Sequence, residues 1–515
     1  MYTVMNTVLS NATSTDEHPS TSMTRKGVLL IVGALLALLI IGLLMRLYTL
    51  GVPFDRDSYD EGVYWQTLRS LAAGSALYHP TFYSQPPMFI LSIFPTYLLF
   101  GQTLWAARLG IALISLLGLV GIFLLGYTLR GWLGSIVALL LLLLAPLYLS
   151  ASQTIQAEGP QVAFSILAVA FAYLWWHNPS GRRGDVYAGL CTLTLTLSIF
   201  SKLFALATLV PILLLAVAHL WRIRQQTASD RWRDSRSLLV GVAVMIIAML
   251  LIMLPYLGHL GDFWSGVISF HTAASKVTGH ISNTGRVVRF FIAPLGIAAL
   301  YGSIVALVRR DWRVVPLLGW ALACAILLWQ QEPLFDHHFV IVIPALVALT
   351  CMGLGPLPLN SQRWRQLPAL LTAGSLLLVL ITLGVGARGI QVNYRNWQAQ
   401  AASGGTQGSL RTAHDLQQAI APDQLVITDG QFVAALAGRN TPPELVDTSS
   451  VRINTDYLTS SQLIQLASQP RVHAILFYTG RLTNSKLKPF RDWIPTRFRE
   501  IHSYGKNSSL WVKIQ

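Results

Sequence analysis

The stretch PMFILSIFPTYLLF, Pro87–Phe100, decides how the chain is threaded. It is apolar enough to enter a bilayer. At about 14 residues, and carrying Pro95, it falls short of the roughly 20 that ~30 Å of hydrocarbon demands. Segments of this length are more often interfacial or re-entrant than spanning. Counted as a span, it would put every later basic connector on the wrong side of the membrane. Read as a helix lying on the outer surface, it leaves eleven longer apolar runs, near 28–47, 104–128, 132–151, 160–177, 185–201, 203–221, 237–257, 287–308, 313–330, 339–356 and 366–387.

Composition agrees with a polytopic membrane protein. Of 515 residues 53% are hydrophobic and 11% charged, where a soluble domain carries roughly 25% charged. The formal net charge is +15, but the cations gather in short connectors: GRRGD (181–185), RIRQQTASDRWRDSR (222–236), RRDWR (309–313) and RWR (363–365). The preference of Lys and Arg for cytoplasmic loops explains that pattern, so the charge is no sign of nucleic-acid binding. The cysteines, Cys191, Cys324 and Cys351, lie inside apolar runs and offer neither a disulfide framework nor a C-x-x-C metal pattern.

With the connectors inside, parity fixes the rest. Residues 1–26 form a disordered cytoplasmic N-terminus, and 27–387 an all-α transmembrane domain of about eleven helices. Tyr48 to about Thr103 and Gln153–Gly159 then face outward. Residues 388–515 are polar. Helix-like AHDLQQAI and SSQLIQLAS alternate with strand-like QLVITDG, VHAILFY and SSLWVKI, which predicts a small α/β extracytoplasmic domain.

Two acidic positions share the outer face: DRDSYDE, Asp55–Glu61, in the first outer loop, and Glu158 in SQTIQAEGP. SYDE is a capping box, with Ser58 as cap and Glu61 reaching back. The following GVYWQTLRSLAAG then predicts an amphipathic surface helix ended at Gly74, with Tyr64, Leu68 and Leu71 on one face. Capping accounts for Ser58 and Glu61 but gives Asp60 no role, and Asp55 and Asp57 read as loop charge.

The order YDEGVYWQTLRSLAAGSALYHPTFYSQPPMFIL, LFGQTLWAARLGIALIS, SQTIQAEGP resembles the GT-C glycosyltransferases that use polyprenyl-phosphate sugars, notably the protein O-mannosyltransferase and lipid A aminoarabinose transferase relatives. The resemblance covers about residues 28–210, and the later spans by layout only. It implies transfer of a sugar from a polyprenyl-phosphate donor to an acceptor glycan, lipid or protein at the outer face. Asp60 would be the general base, with Glu61 its neighbour and Glu158 the second outer acid, where these families more often have Asp. Gln85-Pro86-Pro87 matches their K-P-P with one departure: Gln carries no cation for a phosphate. The resemblance therefore points to other donor-phosphate contacts: Lys202, His271, Arg286, Arg289, and His337 with His338 in FDHHFV.

Inverting transfer needs one carboxylate base at the acceptor hydroxyl and cations where the phosphate departs, and these residue types supply both. No cofactor is called for. A divalent metal held by His337 and His338 with Asp336 and Glu332 is an open alternative. Two rival readings are a transporter or flippase and a non-catalytic glycan-binding relative. A transporter would show repeated halves and broken, charged helices near midplane, which this sequence lacks.

Overall fold

The computed structural model describes residues 25–57, 59–278, 282–355 and 367–514. Ser58, His280 and the RWR connector lie outside them. Five helices among the described residues are long and apolar enough to cross a membrane: Leu104–Leu143, Glu158–His177, Leu203–Ile223, Asp234–Lys276 and Pro368–Ala401. The bent pair Thr284–Phe291 and Pro294–Val308, angled at 67°, makes six if taken as one span. Val32–Leu47, Met88–Leu99, Val314–Gln330 and Asp336–Met352 are shorter apolar helices.

The apolar runs outnumber these long helices partly because several runs are broken. Helix α1 (Arg25–Leu47) is followed by α2 (Asp60–Ala72), α3 (Met88–Leu99) and α4 (Leu104–Leu143). The 40-residue α4 folds back on itself at Arg130–Gly131, where Gly131 adopts φ +60° and ψ −148°. Only glycine reaches that region cheaply. The two arms then approach so closely that a Cβ on Gly126 would sit 2.4 Å from the Gly134 carbonyl. The run 132–151 breaks again at Ala145, before a short helix Pro146–Ala151.

Helices α5 (Glu158–His177) and α6 (Gly181–Ile199) pack beside α4, around a core that includes Leu139, Tyr148, Ile166, Tyr173 and Trp320. At the fold of α4, Arg130 Nη1 meets Asp311 Oδ2 at 2.6 Å and Arg313 Nη2 meets the same oxygen at 2.8 Å. Arg108, near the start of α4, lies about 33 Å away along the helix axis. The basic connector 309–313 and the acidic first loop therefore occupy opposite ends of the first arm of α4.

Residues 404–514 form the α/β unit. Its sheet has the order β1-β2-β4-β3, from Leu425–Thr428, Val472–Phe477, Phe498–Gly505 and Ser508–Lys513. β1 and β2 pair in parallel and the other pairings are antiparallel. This unit corrects the expectation of a surface helix. α2 is buried almost all round, because the C-terminal unit packs on the face expected to meet water. Gly62 permits that contact: a Cβ there would sit 2.5 Å from the Phe432 backbone nitrogen. Gln66 Nε2 donates to the Arg439 carbonyl at 3.0 Å, and Arg69 Nε to Asn440 Oδ1 at 2.8 Å. Helix α2 still ends before Gly74, which has φ +91°.

Candidate active site

The two neighbouring acids that open α2 have different fates. Glu61 is fully buried. Arg108 donates to both of its oxygens, Nε to Oε1 at 2.8 Å and Nη2 to Oε2 at 2.7 Å. The backbone N–H of Arg56 donates to Oε2 at 2.9 Å and that of Ile155 to Oε1 at 3.1 Å. Arg108 spends its remaining donors on the carbonyls of Leu50, Val52 and Phe54 at 2.8–2.9 Å. Burial disfavours the Glu61 charge, yet Arg108 and Arg56 outweigh it and hold the carboxyl below its usual range. Glu61 is thus not available to a substrate, and the Ser58 half of the expected capping box lies outside the described residues. Glu61 ties α2 to α4 and to the loop before α5.

Asp60 sits one residue earlier, half-buried. Burial first, then the carboxylates of Asp57 and Asp447, pushes its carboxyl up to about 7. Asp57 is not plain loop charge. Its Oδ1 lies 3.2 Å from His337 Nδ1, and its Oδ2 is buried with no hydrogen-bond partner among the described residues. Asp55 uses Oδ1 to accept the Asp57 N–H at 3.0 Å.

Glu158, at the first position of α5, completes the cluster. Lys202 Nζ donates to its Oε1, and His337 Nε2 and His338 Nε2 lie 3.5 Å and 3.7 Å from the same oxygen. His337 therefore stands between Asp57 and Glu158. Lys202 belongs to a connector that meets the Gln85-Pro86-Pro87 segment, where the Met88 N–H donates to the Phe200 carbonyl at 2.8 Å.

The other expected phosphate contacts lie around this centre or away from it. Gln85 is buried, and its carbonyl accepts the Tyr78 hydroxyl at 2.8 Å. His271 Nε2 bonds the Ser84 carbonyl at 2.7 Å. Arg286 pairs with Asp336 at 2.5 Å and also donates to the Leu334 carbonyl. Arg289 is exposed and makes none of these contacts. Asp336 is thus engaged away from the histidines. A metal-competent set forms instead from Asp57, Asp60 and His337, or from Glu158, His337 and His338, each with donor atoms within 4.8 Å of one another. Lys202 already occupies Glu158. The first set retains the orphaned Asp57 oxygen, and its two carboxylates and imidazole suit a divalent ion.

Sequence reasoning missed Asp57 and Asp447. Asp447 arrives from the C-terminal unit, accepting the Tyr59 hydroxyl at 3.2 Å, and no local pattern links it to Asp60. Arg108 was visible as an arginine inside an apolar run, where an unpaired cation is costly.

A buried acid–cation cluster thus sits on a scaffold of apolar helices, under a small α/β unit. Residues 71–271 match the family model for dolichyl-phosphate-mannose-protein mannosyltransferase. The chain has the fold of ArnT from Cupriavidus metallidurans. It aligns with the undecaprenyl-phosphate-bound crystal structure at TM-score 0.64 and 16% identity, over 96% of this chain and 99% of that one. With the apo structure it aligns at TM-score 0.60 and 15% identity, over 95% and 98%. No curated protein sequence matches the chain. The GT-C resemblance read from the ordered motifs is upheld by these matches.

Proposed function

We propose that this protein is an inverting membrane glycosyltransferase that moves a sugar from a polyprenyl-phosphate donor to an acceptor hydroxyl at the outer face. The observation that carries the reading is Asp60: a half-buried carboxyl pushed up to about 7, beside a cluster of Lys202, His337 and His338. The undecaprenyl phosphate bound by the ArnT structure supports the donor class.

Asp60 takes the proton of the acceptor hydroxyl as its oxygen attacks the anomeric carbon. The bond from that carbon to the phosphate oxygen breaks, and the phosphate leaves with the electron pair. Lys202, His337 and His338 stabilise its charge, and Lys202 stands in for the lysine that Gln85 replaces. A divalent ion at Asp57, Asp60 and His337 would add positive charge beside the departing phosphate.

The chain crosses the membrane eleven times, with the N-terminus inside and the C-terminal unit outside. In support, Arg130, Asp311 and Arg313 cluster at the fold of α4, remote from Arg108 and Glu61. The test supplies purified protein with radiolabelled polyprenyl-phosphate sugars and membrane extract. Wild type transfers label and Asp60→Asn does not. Equal transfer by both removes Asp60 from the chemistry, and no transfer from any donor favours a transporter or a binding protein.

A further inference from the structure

A second group of ligating side chains lies on an exposed surface, sharing no residue with the Asp60 cluster. Nδ1 of His79 and Nδ1 of His259 each lie 3.5 Å from Oδ2 of Asp262. The donor atoms of all three residues fall within 4.8 Å of one another. The two imidazoles are stacked, with centroids 4.6 Å apart and planes at 10°.

Neither 3.5 Å contact is a good hydrogen bond, for which N···O is typically about 2.9–3.0 Å. Both approach the edge of a ligand tetrahedron, roughly 3.3 Å when bonds to a central ion are about 2.0–2.1 Å. The residues come from two segments far apart in sequence, and packing brings them together; because the rings are stacked, one imidazole turns about its side-chain bonds to bring both nitrogens onto one ion. Tyr78, which precedes His79, has φ +69°, a conformation that strains a bulky side chain. Its ring is held against Tyr256 and Phe263, each with centroids 5.1 Å away. Those two residues flank His259 and Asp262 in sequence, so the contacts that hold Tyr78 also present His79 to the other two ligands.

We propose that His79, His259 and Asp262 form a surface site for a divalent transition ion such as zinc or cobalt. Two imidazoles and a carboxylate suit such ions, with the fourth position left to water. The ion clasps the first outer loop to the segment 254–278. That segment already touches the approach to Gln85, since a Cβ on Gly266 would meet the Tyr83 carbonyl at 2.5 Å and His271 bonds Ser84.

The test uses tag-free, full-length protein in detergent carrying His337→Gln, which removes the ligand common to the two other metal-competent sets. Titration with cobalt(II) is followed by visible absorption and by melting temperature. The expected result is one bound equivalent with the intense absorption of a tetrahedral ion and a raised melting temperature. His79→Gln, His259→Gln or Asp262→Asn weakens binding at least about tenfold, or 1.4 kcal/mol. All three side chains are about half exposed, so melting in chelator stays unchanged. Binding that survives His79→Gln and Asp262→Asn, or no bound ion at about 0.1 mM cobalt, overturns the proposal and leaves an ion pair only.

Discussion

Arg108 grips both carboxylate oxygens of Glu61, at 2.8 Å and 2.7 Å, and both side chains are shut off from solvent. Removing one partner of such a pair strands the other as an uncompensated buried charge. Arg108→Ala therefore destabilises the protein by about 3–5 kcal/mol. Thermal unfolding in detergent measures this as a lowered melting temperature and loss of folded protein. An unchanged melt would mean that Glu61 does not depend on Arg108.

The pH dependence of transfer follows from the groups around Asp60. Its carboxyl, raised to about 7 by burial, Asp57 and Asp447, must be ionised to act as a base. In chelator, kcat/KM falls on the acid side of about 7, approaching tenfold per pH unit. Asp57→Asn removes a like charge and moves that limb to lower pH. Loss of the Lys202 cation moves it to higher pH, because Lys202 favours the charged form. A limb unmoved by both substitutions belongs to some other group.

Lys202 and Glu158 are an ion pair, and the proposed reaction has them act together on the donor. Lys202→Met lowers transfer about 10²-fold, the scale of losing one preorganised donor to developing charge, and Lys202→Arg keeps more of it. The effects are not additive: Glu158→Gln costs less in the Lys202→Met background than alone. A double-mutant cycle on kcat/KM measures the coupling, and additive losses would separate the two residues.

The contact between α2 and the C-terminal unit is tested at Gly62. Alanine favours helix, yet a Cβ here would lie 2.5 Å from the Phe432 nitrogen. Gly62→Ala costs about 1–3 kcal/mol through overpacking, read as a lower melting temperature. A neutral or stabilising effect would show that the two units yield at this contact.

Much of the fold was legible because its signal is local. The run Pro87–Phe100 reads correctly as a short helix, and the break between runs 104–128 and 132–151 coincides with the turn at Gly131. Asp60, Glu158, Lys202, His337 and His338, named from acids and cations at outer connectors, fall into one cluster. What stayed hidden was long-range. Glu61 reads as a cap, with no local sign that Arg108, 47 positions away, holds it. Asp57 reads as loop charge until His337 arrives beside it. Residues 60–72 show an apolar face but give no sign of Phe432 covering the other side.

The central claim is that Asp60 carries the proton transfer, and a single-turnover comparison tests it most directly. Wild type and Asp60→Asn are each loaded with radiolabelled polyprenyl-phosphate sugar, and donor binding is measured before transfer. The variant binds donor about as well as wild type and transfers 10²–10⁴-fold more slowly, the usual worth of a general base. Transfer by Asp60→Asn at the wild-type rate, with the same pH profile, would contradict the account.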